Sequence, residues 1–193
     1  MKPSTILVSL LSALPAAILA APTSCGSDDS DSGSGVTRFG VMSARSASPI
    51  HLLPLNARNG HFYLGGETQS YCPEEQVQNC PAGNETVLAG GDNTLALAVD
   101  VPGGQLVYIG PDGAMSFTPA HSASMPEGSV LTGWNYTAGD PFGHLQWFPG
   151  GLVACMDRDN QVFGQVEGFN STGCLGFDAL AIATEEVGAW QYT

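Results

Sequence analysis

Four histidines, His51, His61, His121 and His144, are the side chains of this sequence best suited to a transition metal, and they stand too far apart for a local chelate. Strands could gather two or three of them with Asp140 or Glu127 as oxygen ligands. A hydrogen-bonded or surface histidine is the commoner outcome, so the expectation is no metal and no cofactor. Glycoside hydrolysis would need two carboxyl groups facing each other across a bond. The candidates are Glu74 with Glu75, Glu185 with Glu186, and Asp157 with Asp159. Adjacent acids on a strand point to opposite faces, and acids on turns are usually just solvated, so the hydrolase reading is weak. The sequence has no G-x-S-x-G elbow, no H-E-x-x-H, no paired C-x-x-C and no Walker loop, and the expectation is a protein that is not an enzyme.

Flat apolar rings stack on the C–H faces of sugars, which makes Trp134, Trp147 and Trp190, with Tyr63, Tyr71, Tyr108, Tyr136 and Tyr192, the pool for a glycan platform. In a β domain of this size most such rings fill the core. Trp190 and Tyr192, near the end of the sequence, are the two expected at the surface.

Five cysteines and three sequons carry the remaining chemistry. Cys72, Cys80, Cys155 and Cys174 lie in the body of the chain, and an oxidising secretory route favours pairing them. Three connectivities are open; closeness in sequence favours Cys72 with Cys80 and Cys155 with Cys174, although spacing alone does not decide among them. Cys25 is left over, to be free, capped or joined to another molecule. Asn84-Glu85-Thr86, Asn135-Tyr136-Thr137 and Asn170-Ser171-Thr172 are N-glycosylation sequons without a central proline. Modification at any of them would place Asn84, Asn135 or Asn170 on the surface.

What brings these residues to that chemistry is the start of the sequence. Lys2 precedes an uncharged apolar stretch over residues 6–21 that ends in small side chains, the pattern of a secretory signal peptide covering 1–20. The stretch is shorter than the roughly 20 residues of a membrane span and contains Pro15. No second apolar run follows, and the final EEVGAWQYT lacks a glycolipid-anchor pattern, so no membrane anchor is expected. About 172 residues remain after the leader, enough for one domain with its own core. The full chain has 5 Lys+Arg against 18 Asp+Glu; loss of Lys2 leaves Arg38, Arg45, Arg58 and Arg158 against those acids, a net charge of −14. With no basic stripe, nucleic acid and anionic membranes are poor partners, and cationic peptides and proteins suit the surface better.

Residues 21–37 read as a flexible acidic Ser/Asp/Gly tail. Its likeness to a calcium loop is superficial: with Asp28 as first ligand and Gly33 at the turn, Ser30 and Ser32 are weak ligands and Phe39 stands where a bidentate Glu is needed. From 38 to 193 the texture is short β-favouring runs between Gly, Pro, Asn and Asp. Candidate strands cover 39–43, 50–55, 61–64, 86–89, 95–101, 106–109, 114–117, 130–136, 145–148, 152–156, 161–166 and 180–184. Gly90-Gly91-Asp92-Asn93, Pro102-Gly103-Gly104, Gly110-Pro111-Asp112-Gly113 and Asp157-Arg158-Asp159-Asn160 supply the turns. Leu95, Leu97, Val99 and Val101 alternate with Ala96, Ala98 and Asp100, as on a sheet with one buried face. With 25 Gly and 13 Pro, long helices have little room, and only 177–186 is a fair helix candidate. The expected fold is all-β, a single antiparallel β-sandwich or barrel-like domain with at most one short helix.

Three long stretches carry a specific resemblance: FGVMSARSASPIHLLPLNARNGHFYLGGETQSYCPEEQVQNCPAGNETVLAGG over 39–91, VPGGQLVYIGPDGAMSFTPAHSASMPEGS over 101–129, and PFGHL over 141–145. On these residues the chain closely resembles the PhiA family of fungal cell wall proteins, and the region of Cys155 and Cys174 resembles the family's C-terminal part more loosely. The resemblance implies a secreted, non-enzymatic protein of the fungal wall, associated with phialide and conidium development, with wall polysaccharide or wall proteins as partners. Similar proteins are also described as IgE-binding antigens and as secreted elicitors that bind a host antifungal protein, which implies an alternative as an effector engaging a host defence protein or a glycan. The acidic insert with Cys25 departs from the family pattern, so the resemblance implies nothing about it. The family has no catalytic residues to carry over.

Overall fold

The computed structural model describes residues 37–193. The expected leader, Cys25 and the Asp28 loop lie outside the described residues. Fourteen short strands follow in order: β1 (Arg38–Ala44), β2 (Leu55–Arg58), β3 (His61–Leu64), β4 (Ser70–Tyr71), β5 (Leu88–Leu97), β6 (Gln105–Ile109) and β7 (Met115–Phe117). Then come β8 (Thr132–Thr137), β9 (Gly143–Trp147), β10 (Leu152–Cys155), β11 (Gln161–Gly164), β12 (Cys174–Gly176), β13 (Asp178–Ala183) and β14 (Gln191–Tyr192). A three-residue 3-10 turn, Met156–Arg158, joins β10 to β11.

The pairing closes on itself. β1 lies against β13 with Phe39 opposite Ala183, β13 against β9, β9 against β8 with Trp134 opposite Trp147, β8 against β5, and β5 returns to β1 with Leu88 opposite Phe39. β5 then hands over to β6 at its far end, and the sheet continues through β7, β3, β11 and β10 to β12, with β2 beside β3. Every strand pair is antiparallel. The fold is therefore all-β, a five-strand ring extended by a second sheet.

Period-two patterning explains which face is buried. In β1, Phe39, Val41 and Ser43 are buried while Arg38, Gly40 and Met42 are partly exposed. The inward rows of both parts meet in one core that includes Phe39, Phe62, Leu88, Ile109, Met115, Trp134, Trp147 and Tyr192. A smaller cluster of Ala114, Val153, Cys155 and Phe163 lies apart from it, with Phe169 stacked on Phe163 at 5.3 Å.

Three sequence expectations give way here. Residues 178–183 of the helix candidate are strand β13, held between β1 and β9, with Ala179 and Ala181 buried and Ile182 exposed. Pairing on both sides overrides a modest helix propensity. Residues 50–53 do not form a strand: Leu52 has φ 58°, and the segment folds back so that Ser43 N–H donates to Leu53 C=O at 2.9 Å and Ile50 plugs the core. Gly90 to Asn93 is not a reversal either. It lies inside the ten-residue β5, where Gly90 and Gly91 have φ 106° and 100° and the register with β8 slips between Asn93 and Thr94. This bulge bends β5 so that one strand can serve both parts of the sheet.

Candidate functional site

The histidines do not converge, and among the described residues no group of three His, Cys, Asp or Glu side chains is placed to hold a metal ion. His51 Nδ1 accepts from Arg45 N–H at 3.2 Å, and His144 Nδ1 lies 3.2 Å from Asp178 Oδ1. His121 sits at φ 60° in a loop. His61 Nδ1 is 2.8 Å from Ser116 Oγ on the neighbouring strand. Burial holds the His61 imidazole below its ordinary range, with Asp112 pulling weakly the other way. A base depressed in the folded state takes up a proton more readily when unfolded, so its contribution to stability is present above about pH 6.5 and is lost as the pH falls below that. Urea midpoints measured between pH 7.5 and 5 should therefore drop for the natural chain. In His61→Gln that part of the slope should be gone; an unchanged slope rejects His61 as its source.

The six acids weighed for hydrolysis are all exposed. Glu74 and Glu75 are exposed beside Cys72, and Glu185 and Glu186 are exposed after β13. Asp159 pairs with Arg58 at 2.5 Å, and the Arg58 guanidinium lies over Tyr63 at 4.1 Å. The structure joins Cys72 to Cys80 and Cys155 to Cys174; the second bridge links residues directly opposite on β10 and β12. All three sequon asparagines are exposed. Asn135 Oδ1 accepts from Thr137 Oγ1, Asn170 Oδ1 accepts from Thr172 N–H, and Thr86 Oγ1 is buried and accepts from Ala57 N–H.

The aromatic expectation needs correcting. Tyr192 is 2% exposed, and Trp190 is only partly exposed. The Tyr192 hydroxyl donates to Glu85 C=O at 2.7 Å and accepts from Val87 N–H at 3.0 Å. Its backbone exchanges two hydrogen bonds with the buried Gln105 side chain. Gly188 leaves room for the phenol, since a Cβ there would stand 2.0 Å from the hydroxyl. A ring near the end of a sequence is drawn inward when it can satisfy its own polar atoms.

Three rings do face out: Phe148 is 55% exposed, Tyr71 54% and Phe142 41%, and Phe148 is the one set between two grooves. It follows Trp147 in the loop from β9 to β10, and with Pro149 it lines two grooves, of about 330 and 390 Å³. Gln146 and Asp178 flank one groove, and Thr132, Gln165 and Glu167 the other. The loop is fixed from several sides. Phe148 N–H donates to Gly133 C=O at 2.8 Å, Trp147 Nε1 to Thr132 C=O at 3.0 Å, Gly151 N–H to Trp147 C=O at 2.8 Å, and Gln165 Nε2 to Gly150 C=O at 2.9 Å. An exposed ring on an ordered loop between amide, hydroxyl and carboxylate side chains is suited to a sugar chain: stacking on one ring, hydrogen bonds to its neighbours. Attention to Trp and Tyr misses it; the run Trp147-Phe148-Pro149-Gly150-Gly151, an aromatic pair leading into a tight turn, is the available signal.

A family model described as PhiA-like secreted protein matches residues 39–193. The chain belongs to this family. A secreted protein of Arthroderma benhamiae, described as uncharacterized, is 38% identical over 160 residues, covering 75% of this chain and 80% of that protein. No solved structure matches the chain significantly. The PhiA-like match begins at Phe39, the first core residue of β1, and so takes in both disulfides, all three sequons, the Phe148 loop and the Tyr192 clasp. Like the family, the protein is secreted, and the two disulfides of this PhiA-like chain suit an oxidising route.

Proposed function

We propose that this protein is a non-enzymatic component of the fungal cell wall, acting in wall structure and in phialide and conidium development, and held by non-covalent contact between the Phe148 ridge and wall polysaccharide. The observation that carries the reading is the ridge itself: an exposed ring on an anchored loop with a groove on either side. Membership of the PhiA-like secreted family supports placing that contact outside the cell. An aromatic side chain at the centre of such a contact is worth about 2 kcal/mol, roughly thirtyfold in affinity. Phe148→Ala should weaken sedimentation with washed wall glucan or chitin by that factor, while its unfolding midpoint stays within about 0.5 kcal/mol of the natural chain because the ring is exposed. Equal binding by the two proteins would remove the ridge from the account. Immunogold labelling of hyphae, phialides and spores tests the developmental part.

The charge favours a second reading, a secreted effector that engages a cationic host defence protein. The sequence carries a net charge of −13. Electrostatic attraction would speed the encounter and fade with salt. Binding to a basic host protein that ignored ionic strength would count against this version, and protein found almost wholly in the medium would count against the wall.

A further inference from the structure

A groove of about 490 Å³ lies between β1, β13 and the segments 54–56 and 84–87. Gly40 and Gly66 are among the residues that line it. Its walls mix polar residues with apolar ones, Met42, Pro54 and Ile182 among the latter, and Ile182 is 46% exposed. Its volume is within the range that takes a drug-sized molecule, and a disaccharide is of that size. One rim residue is Asn84, the acceptor of the first sequon.

Asn84 differs from the other two acceptors. The Asn135 and Asn170 carboxamides are engaged by the Thr of their own sequons. Asn84 is exposed and, among the described residues, its amide makes no such bond. The sequon's Thr86 is buried and Glu85 C=O accepts from the Tyr192 hydroxyl, so the backbone under Asn84 is fixed while its side chain is free at the groove mouth.

We propose that Asn84 carries an N-linked glycan whose first two N-acetylglucosamine residues lie back along this groove, their apolar C–H faces on Met42, Pro54 and Ile182. The attachment point selects the occupant. A sugar bonded to the rim is held at high effective concentration beside the groove, so weak stacking suffices to seat it. The secretory route supplies the glycosylation. Asn56 and Thr184, also on the lining, offer hydrogen-bonding groups to the sugar hydroxyls and acetamides. The seated glycan covers Ile182 and braces β1 against β13 at the end where β5 closes the ring.

The test uses the protein secreted by a glycosylating fungal host. Peptide mapping reads occupancy at Asn84. Hydrogen exchange is then compared for the intact protein, for protein trimmed to a single N-acetylglucosamine stub, and for protein stripped of all sugar. The expected result is an occupied Asn84, with amides of residues 40–42 and 182–184 exchanging about tenfold faster once all sugar is gone and by an intermediate factor with the stub. Asn84→Gln should repeat the stripped behaviour, and Asn170→Gln should leave these amides unchanged. Should Asn84→Gln fail to be secreted, the enzymatic series on the natural chain decides alone. An unmodified Asn84 overturns the proposal, as does an occupied Asn84 whose removal leaves exchange at 40–42 and 182–184 untouched; protection regained only on adding free chitobiose to unmodified protein would instead make the groove a ligand subsite.

Discussion

Tyr192→Ala should lower the unfolding free energy by about 3–5 kcal/mol, the cost of truncating a fully buried aromatic. That is a large share of the roughly 5–15 kcal/mol that keeps a domain folded. The side chain belongs to the main core, and its hydroxyl holds the segment leading into β5 through Glu85 C=O and Val87 N–H. Tyr192→Phe separates the two contributions. It keeps the ring and leaves both backbone groups without their partner, which costs about 1–3 kcal/mol. Burial pushes the phenol up to about 12 from its ordinary 10.0. The neutral form is the one the fold holds, so stability from this group is full below pH 10 and declines as the pH rises from there to about 12, by roughly 2–3 kcal/mol in all. Denaturant titrations between pH 8 and 12 should show that decline in the natural chain and a flatter profile in Tyr192→Phe. A Phe variant as stable as the natural chain at neutral pH would show that the hydroxyl is not holding the β5 entry.

Gly91→Ala is the second large effect, at roughly 2–6 kcal/mol from two sources. A Cβ at Gly91 would stand 2.4 Å from Tyr136 Cβ and 3.1 Å from its backbone nitrogen, with Gly91 itself buried and Tyr136 half-buried. Overpacking of this kind costs about 1–3 kcal/mol. The φ of 100° adds a backbone penalty of about 1–3 kcal/mol for any residue with a side chain. Gly104→Ala is the control. Gly104 also has positive φ, 63°, but a Cβ there meets nothing within 4 Å, so about 1–2 kcal/mol is expected. Thermal melts of the two variants should differ accordingly; similar losses would mean that Tyr136 gives way and that β5 is less tightly held than its packing indicates.

Gly91 also marks where reading by residue type reaches its limit. Gly-Gly-Asp-Asn is as good a turn as the sequence contains, and a β-bulge asks for the same positive φ, so local chemistry cannot separate reversal from bend. The partners decide: β8 on one flank and β1 on the other carry the chain on through a bend instead of a reversal. Residues 177–186 pose the same problem. Ala179, Leu180, Ala181 and Ile182 tolerate helix or strand, and the neighbouring β1 and β9 select the strand. The strands expected at 39–43, 61–64 and 106–109 form within a residue of their bounds, whereas the alternating run 95–101 is split, its first three residues ending the longer β5 at Leu97. The all-β class follows from glycine, proline and turn chemistry alone. The surface was less legible. Exposure of Phe148 and burial of Tyr192 both depend on contacts from distant strands, Gly133 in one case and Glu85 and Val87 in the other.

The ring closure has a consequence for a protein that works beyond the reach of intracellular chaperones. Five strands paired in a circle leave little sheet margin at which a second chain could add itself. Of the strands at the limits of the second sheet, β12 has three residues and is bolted to β10 by Cys155–Cys174. The outer side of β2 is already taken, with Ala57 N–H donating to Thr86 Oγ1 and Ala57 C=O accepting from Gln69 N–H. Among the described residues, a sequence rich in β-formers thus leaves fibril growth few open strand edges, the short β4 and β14 pair among them.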